Sequence, residues 1–254
     1  MGKPIVVTVA AAGMGAAAAQ ILRQRGHEVI GVDIDACDLV ADLSNETGRE
    51  VLRGGVERLA PDGISGIIAC AGVQANMDPR LVVSVNYFGA VATCTRLKPL
   101  LDINARPRVV LVASNAVLQQ EDPAIYNACL ARDETAARAA ADENPFAAYI
   151  SSKKALVQWM RFEAVKPEWA GRNIALNAVC PGVTLTRMTT SLLETEKGRA
   201  LLKKISPTPR PDYADPRELG EVMALLATME GSFLMGQVIY VDGGAEALTR
   251  PNLI

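Results

Sequence analysis

Tyr149-Ile150-Ser151-Ser152-Lys153 sets a phenol and an ammonium four residues apart, which on a helix places them on one face and within reach of each other. A phenol with an ordinary pKa of about 10 is a poor acid or base at neutral pH unless a nearby cation stabilises the phenolate. Lys153 could supply that cation. A second hydroxyl, Ser114, ends the apolar run Val109-Val110-Leu111-Val112-Ala113. When hydride reaches a carbonyl carbon, negative charge develops on the oxygen, and two hydroxyl donors aimed at that oxygen would stabilise it. The phenol would then give up its proton. The Tyr149 and Lys153 spacing alone is equally met by a surface helix with an exposed Tyr and a solvated Lys.

A different kind of site is written near the start. Thr8-Val9-Ala10-Ala11-Ala12-Gly13-Met14-Gly15 follows a strand-like run and leads into four consecutive Ala. A pyrophosphate needs a turn without Cβ obstruction and free amides at a helix N-terminus, and Gly13 and Gly15 can supply both. An ordinary strand-to-helix turn in an Ala-rich chain is the plainer alternative. The next strand-like run, Val29-Ile30-Gly31-Val32-Asp33, ends in a carboxylate about 20 residues after Gly13, where a ribose-binding acid is expected. Asp33 would accept from ribose hydroxyls and repel a 2′-phosphate, and its neighbours Ile34 and Asp35 include no Arg. NAD(H) is therefore favoured over NADP(H), with a solvated loop acid as the alternative for Asp33. The single histidine, His27, falls in the loop before this strand. It belongs at the opposite rim, so a His-based triad or a metal site is not expected.

Elements must bring these residues together. Short β-branched runs (Ile5 to Val9, Val29 to Asp33, Ile64 to Ala69, Val109 to Ala113, Ile174 to Val179, Val238 to Val241) alternate with helical stretches such as Gly15 to Arg25, 81–101 and 149–165. That alternation predicts an α/β fold with a parallel sheet covered on both faces. Ligands then gather at the carboxyl ends of the strands, so Ser114, Gly13 and Asp33 would share one rim. The 254 residues could make one large domain or two small ones, and the lack of a Gly/Ser tract or repeat favours one domain over 1–254. Two stretches break the rhythm: 118–148, Ala-rich and acidic, and 187–217, which carries four Pro.

Composition narrows the function. With 26 Lys plus Arg against 28 Asp plus Glu, the net charge of −2 offers no general attraction for nucleic acid or an anionic membrane. The five Cys, at 37, 70, 94, 129 and 180, are odd in number and lack CxxC spacing, which argues against a disulfide framework or a thiolate zinc site. No apolar run approaches the length needed to span a bilayer, and the start shows no signal core. A cytoplasmic location is expected.

Taken together, the glycine turn, Asp33, Cys70-Ala71-Gly72, Asn86 in Val85-Asn86-Tyr87-Phe88-Gly89, Ser114, Tyr149 with Lys153, Pro181-Gly182 and the closing Val241-Asp242-Gly243-Gly244 resemble the short-chain dehydrogenase/reductase family, from residue 5 to about 245. The resemblance implies a Rossmann-type, three-layer, doubly wound parallel sheet of about seven strands, and hydride transfer between a nicotinamide and an alcohol or ketone. Tyr149 would be the acid/base and Lys153 would lower its pKa and hold the nicotinamide ribose. Ser114 would hold the substrate oxygen, and Asn86 would support a water path to Lys153. Ala10, Gly13, Met14 and Gly15 would form the pyrophosphate turn, Asp33 and Ile34 would meet the ribose, and Asp42 and Leu43 the adenine. Ala71 and Gly72 would allow close backbone approach, and Pro181, Gly182, Val183 and Thr186 would border the nicotinamide.

Three departures from the family pattern stand out. Val9 occupies the place of the first glycine, Cys70 stands where many members have Asn, and Ser114 and Tyr149 are 35 positions apart where most relatives use about a dozen. A helix-turn-helix insertion is predicted over 118–148. It resembles the one in bacterial 3α-hydroxysteroid dehydrogenase/carbonyl reductases, although a surface insertion silent about substrate would read the same. Two added helices beside the catalytic helix would hinder the usual family dimer, so a homodimer through another surface, or a homotetramer, is expected. Over 187–217, Met188, Leu192, Leu193, Leu201, Leu202 and Ile205 recur at helical spacing, as in a mobile apolar lid or in plain core packing. Apolar lid residues favour a bulky hydrophobic ketone or secondary alcohol. A non-catalytic NAD-binding regulator is the other class of function, and retention of Ser114, Tyr149 and Lys153 weighs against it.

Overall fold

The β-branched runs become strands because they are apolar on both sides and must be covered twice. In the computed structural model, which describes residues 2–231 and 233–252, β1 (Ile5–Thr8), β4 (Gly66–Ala69), β5 (Arg108–Val112) and β6 (Ala175–Pro181) are buried along their whole length. With β2 (Val29–Asp33), β3 (Leu39–Val40) and β7 (Val238–Val241) they form a seven-stranded sheet in the order β3-β2-β1-β4-β5-β6-β7. Every neighbouring pair is parallel. The sequence periodicity did not mark β3, whose two residues pair with Val32 and Asp33 and are too short to carry a period. Strand order reverses between β1 and β4, which opens a crevice at their carboxyl ends.

Helices cover both faces, giving three layers. On one face, α1 (Gly13–Gln24) and α10 (Pro216–Thr228) pack through Ala18, Ala19, Leu22, Leu219 and Met223 against Val7, Ile68 and Val110 of the sheet. The other face carries α2 (Glu46–Leu59), α3 (Pro79–Val83), α4 (Ala90–Leu97) and α7 (Pro145–Ala164) over Val6, Ile67, Val109 and Leu176. The continuous helix read over 81–101 is corrected here: Ser84–Gly89 is a wide π-turn between α3 and α4. The Asn86 amide inside that turn is tied to the Val73 backbone in both directions, with Val73 N donating to Oδ1 at 2.8 Å and Nδ2 donating to Val73 O at 3.0 Å. Such turns commonly mark functional positions. The helix of Tyr149 begins at Pro145 rather than near 149, since Pro suits a first helical position.

Between β5 and α7 lie α5 (Pro123–Leu130) and α6 (Glu134–Glu143), with Asp122 and Asp133 accepting from the first-turn amides as N-caps. Between β6 and α10 lie α8 (Arg187–Leu193) and α9 (Glu196–Ile205), and after β7 the short α11 (Ala245–Thr249). The side chains of Arg187, Met188 and Ser191 lie outside the described residues, so the apolar role expected of Met188 has no structural account. No helix among the described residues is long and apolar enough to cross a membrane.

Candidate active site

The carboxyl ends of β1, β2 and β4 surround a mostly apolar cavity of about 290 Å³. Asp33, Ile34, Asp42, Leu43, Ala71 and Gly72 line it, together with Val9 of the glycine turn and with Thr8, Val73, Met77, Leu81 and Val85, to which the sequence assigned no role. The Asp33 carboxylate sits across the mouth of the glycine turn, where Oδ2 accepts from Ala11 N at 3.0 Å and Oδ1 from Ile34 N at 2.7 Å. The carboxylate of Asp42 is spent on its own loop, accepting from Ser44 N and Asn45 Nδ2. Thr8 had a legible signal, a hydroxyl at a strand's carboxyl end like that of Ser114. Its Oγ1 accepts from Cys70 N at 2.9 Å and Ala71 N at 2.8 Å, locking the β1 and β4 turns together.

The turn itself is tight. Ala10 N bonds back to Val32 O at 3.3 Å, Gly13 has φ +56°, and a Cβ on Gly15 would lie 2.4 Å from Val9 O. Val9 adopts φ +58°, a left-handed conformation in which a β-branched residue is a genuine outlier. Helix α1 starts behind Ala12, which has no side chain able to cap it, and no acid stands in its first turn. Its first amides thus point free toward the crevice, and their partial positive charge suits a phosphate. Apolar walls, a carboxylate at the rim and uncapped amides together form a donor set that fits a dinucleotide.

A second cavity, of about 360 Å³, opens at the ends of β5 and β6. Met14, Ser114, Tyr149, Pro181, Gly182, Val183 and Thr186 all line it. Thr186 also approaches the glycine turn, its methyl 3.7 Å from where a Cβ on Gly13 would stand. Asn115, Gln119, Phe146, Ile150, Leu201, Ile205 and Ser206 complete the walls. Of these, Phe146 is 92% exposed at the mouth; an isolated aromatic at the head of a helix carries no periodic signal, so the sequence did not reveal it. Among the lid residues read from the sequence, Leu201 and Ile205 face the cavity, whereas Leu202 is buried. Asn115 Nδ2 donates to Ser206 Oγ at 2.6 Å and Gln119 Nε2 to Ile205 O at 3.0 Å, which fasten α9 to the turn after Ser114.

Lys153 lies behind both cavities, 3% exposed, with Nζ donating to Val112 O at 2.9 Å. Burial pushes its pKa down from 10.5 to about 8. Burial also raises the Tyr149 phenol, opposed by a hydrogen bond with Ser114. The thiols of Cys70 and Cys180 beside Lys153 are pushed up to about 12 by burial and stay neutral. Asn86 Oδ1 and Lys153 Nζ approach Gly72 from one side, 3.1 and 3.2 Å from where a Cβ would stand. The structure thus brings Ser114 and Tyr149 to one cavity wall and sets Asn86 and Lys153 just behind.

Comparison with known proteins gives this rim a family. The chain is 32% identical to the 3-alpha-hydroxysteroid dehydrogenase/carbonyl reductase of Comamonas testosteroni over 98% of each chain. It is 32% identical to the coniferyl-alcohol dehydrogenase of a Pseudomonas species, over 95% of this chain and 96% of that one. The chain belongs to the short-chain dehydrogenase/reductase family. The family described as enoyl-(acyl carrier protein) reductase matches residues 134–246. A crystal structure of a Pseudomonas 3-alpha-hydroxysteroid dehydrogenase complexed with NADH superposes with a TM-score of 0.90 at 33% identity, covering 99% of this chain and 100% of that one. This short-chain dehydrogenase/reductase is accordingly an oxidoreductase with an NAD(P)-binding fold, as the parallel sheet and its crevice had indicated.

Proposed function

We propose that this protein interconverts a bulky apolar secondary alcohol and its ketone with NAD(H), Tyr149 acting as acid/base. The observation that carries the proposal is the pairing of the Ser114 and Tyr149 hydroxyls on one wall of an otherwise largely apolar cavity, with the Lys153 ammonium buried behind them. The cofactor, when bound, supplies or accepts the hydride. Asp33, Ile34, Asp42 and Leu43 would hold its adenosine end; Ala10, Gly13, Met14 and Gly15 its pyrophosphate; Ala71, Gly72, Pro181, Gly182, Val183 and Thr186 its nicotinamide end.

Ser114 and Tyr149 hydrogen-bond the substrate oxygen and hold it against one face of the cavity. In the direction of oxidation Tyr149 takes the hydroxyl proton as a phenolate, and in reduction it returns that proton to the oxygen. Burial favours the neutral phenol and the hydrogen bond with Ser114 opposes it; the Lys153 ammonium behind them would stabilise the phenolate further. Asn86, fixed by Val73, holds the space beside Lys153 through which the proton passes to solvent. Leu201 and Ile205 on α9 close the open side as part of an apolar lid over 187–217, facing the exposed Phe146 of α7 across the mouth. The largely apolar surfaces suit a steroid, a cyclic ketone or an aryl ketone better than a sugar. The 118–148 segment forms a helical addition to a single domain, and the protein works as a homodimer or homotetramer in the cytoplasm.

The test is a panel of steroid, cyclic and aryl ketones followed by NADH absorbance, run on wild type and Tyr149→Phe. Turnover of at least one apolar ketone is expected, falling about a hundredfold or more in Tyr149→Phe while NADH still binds. Wild-type rates in that variant would refute the acid/base role.

A further inference from the structure

The segment between Ser114 and Tyr149 reaches the nucleotide end through one buried ion pair. Arg49 on α2 is only 5% exposed and its guanidinium holds four partners. Its Nε donates to Leu43 O at 2.9 Å, and Nη2 donates to Ser84 O at 3.1 Å and Ser44 O at 3.4 Å. Nη1 and Nη2 together grip the Glu134 carboxylate at 2.6 and 2.9 Å. Leu43 lines the cavity assigned to adenosine, Ser84 opens the π-turn that carries Asn86, and Glu134 is the first residue of α6. Burial pushes the Glu134 carboxyl up, but the hydrogen bonds and charge of Arg49 outweigh it and hold the group below its usual range.

A buried guanidinium keeps its place only while its charge is balanced. Among the described residues, Glu134 is the carboxylate that forms an ion pair with Arg49, and it comes from the helical segment. Remove that charge and the guanidinium is drawn toward water, releasing the carbonyls of Leu43 and Ser84. We infer that Glu134 is a positioning residue for the cofactor: through Arg49 it fixes the adenine loop at Leu43 and Ser44 and the π-turn at Ser84, so the added helices set NADH affinity from outside the cavity. This rests on the assignment of that cavity to adenosine. The other end of α6 supplies an internal control, because Asp142 pairs with Arg80 of α3 at an exposed site that touches neither loop.

The experiment titrates NADH by fluorescence into wild type, Glu134→Gln, Glu134→Asp and Asp142→Asn, and follows amide hydrogen exchange at 43–45 in the cofactor-free proteins. Glu134→Gln is expected to weaken NADH about fivefold to thirtyfold and to speed exchange at 43–45. Glu134→Asp, which keeps the charge, recovers most of the affinity, and Asp142→Asn stays within about twofold of wild type. Should Glu134→Gln not fold, Arg49→Lys, which keeps a charge but loses the fork, is expected to weaken NADH comparably. A folded Glu134→Gln that binds NADH and exchanges like wild type overturns the inference, as does equal weakening by Asp142→Asn. A wild type that binds no NADH refutes the adenosine assignment instead, and exchange at 43–45 still decides whether Glu134 holds the loop.

Discussion

Replacing Lys153 with Met should destroy the active site and stabilise the cofactor-free fold, with a sign that depends on pH. The gap between 10.5 and about 8, at about 1.4 kcal/mol per pH unit, makes the charged ammonium about 3 kcal/mol less favourable in the fold than in the unfolded chain. Below pH 8 both states hold the proton and the whole penalty is present. From pH 8 to 10.5 the folded state has shed a proton that the unfolded chain keeps, so the Lys153 contribution to wild-type stability rises with pH across that window. Cys70 and Cys180, whose thiols are pushed up from 9.0 to about 12 in the fold, lower stability as pH rises above 9, but they do so in wild type and variant alike and cancel in the difference. Met carries no such penalty but forfeits the bond to Val112 O, which costs about 1 kcal/mol. Lys153→Met should therefore be about 2 kcal/mol more stable than wild type at pH 7, or roughly 5 °C in Tm, and no more stable near pH 10. Urea unfolding followed through the fluorescence of the buried Trp159 and Trp169 measures both. A variant less stable than wild type at pH 7, or a difference that ignores pH, would refute the argument.

Two further outcomes concern the nucleotide end. NADH should bind at least about tenfold more tightly than NADPH, a difference of about 1.4 kcal/mol, if Asp33, at the rim of the cavity proposed for adenosine, meets the ribose as proposed. Asp33→Asn, able to keep the bond from Ala11 N, should narrow the gap to about threefold or less; fluorescence titration with both cofactors decides, and equal wild-type affinities would sink the claim. Val9→Gly relieves a left-handed conformation costing about 1–2 kcal/mol against about 0.5–1 for glycine's extra freedom when unfolded. It should therefore be at least as stable as wild type in thermal melts, whereas Val9→Ala should not gain; a clear loss in Val9→Gly would show that Val9 packing outweighs its backbone.

The layers and strand order were legible because burial on both faces leaves uninterrupted apolar runs at β1, β4, β5 and β6, and because helices fill the intervals between them. What escaped was set by tertiary contact. Two-residue β3 exists only through its pairing with Val32 and Asp33, and the π-turn only because the Asn86 amide seeks the Val73 backbone. At the candidate site, the hydroxyl, carboxylate and ammonium groups that the structure places on or just behind the cavity walls could be read from motif and spacing. Arg49 could not, since a charge on an amphipathic helix reads as solvated until Glu134 is found 85 residues away. Phe146 and Val73 were hidden for the same reason, as cavity walls are assembled from positions with no local signature.

Conflict between a residue and its local environment is itself a guide to where ligands belong. Four residues other than glycine have positive φ among the described residues: Val9, Arg106, Arg132 and Asn173. Arg106 and Asn173 close short helical turns and Arg132 follows α5, where unbranched chains and Asn are tolerated. Val9 is β-branched, and it lines the nucleotide cavity. Lys153 presents the same conflict electrostatically, as a charge that the fold holds at a cost, and Phe146 presents it hydrophobically, as a ring left in water at the mouth of the second cavity. All three lie along one strand rim, two on a cavity wall and one just behind. Bound cofactor and an apolar substrate would relieve the last two, by placing ligand groups against Lys153 and covering Phe146. The marginal features of this chain are thus concentrated where binding can offset them.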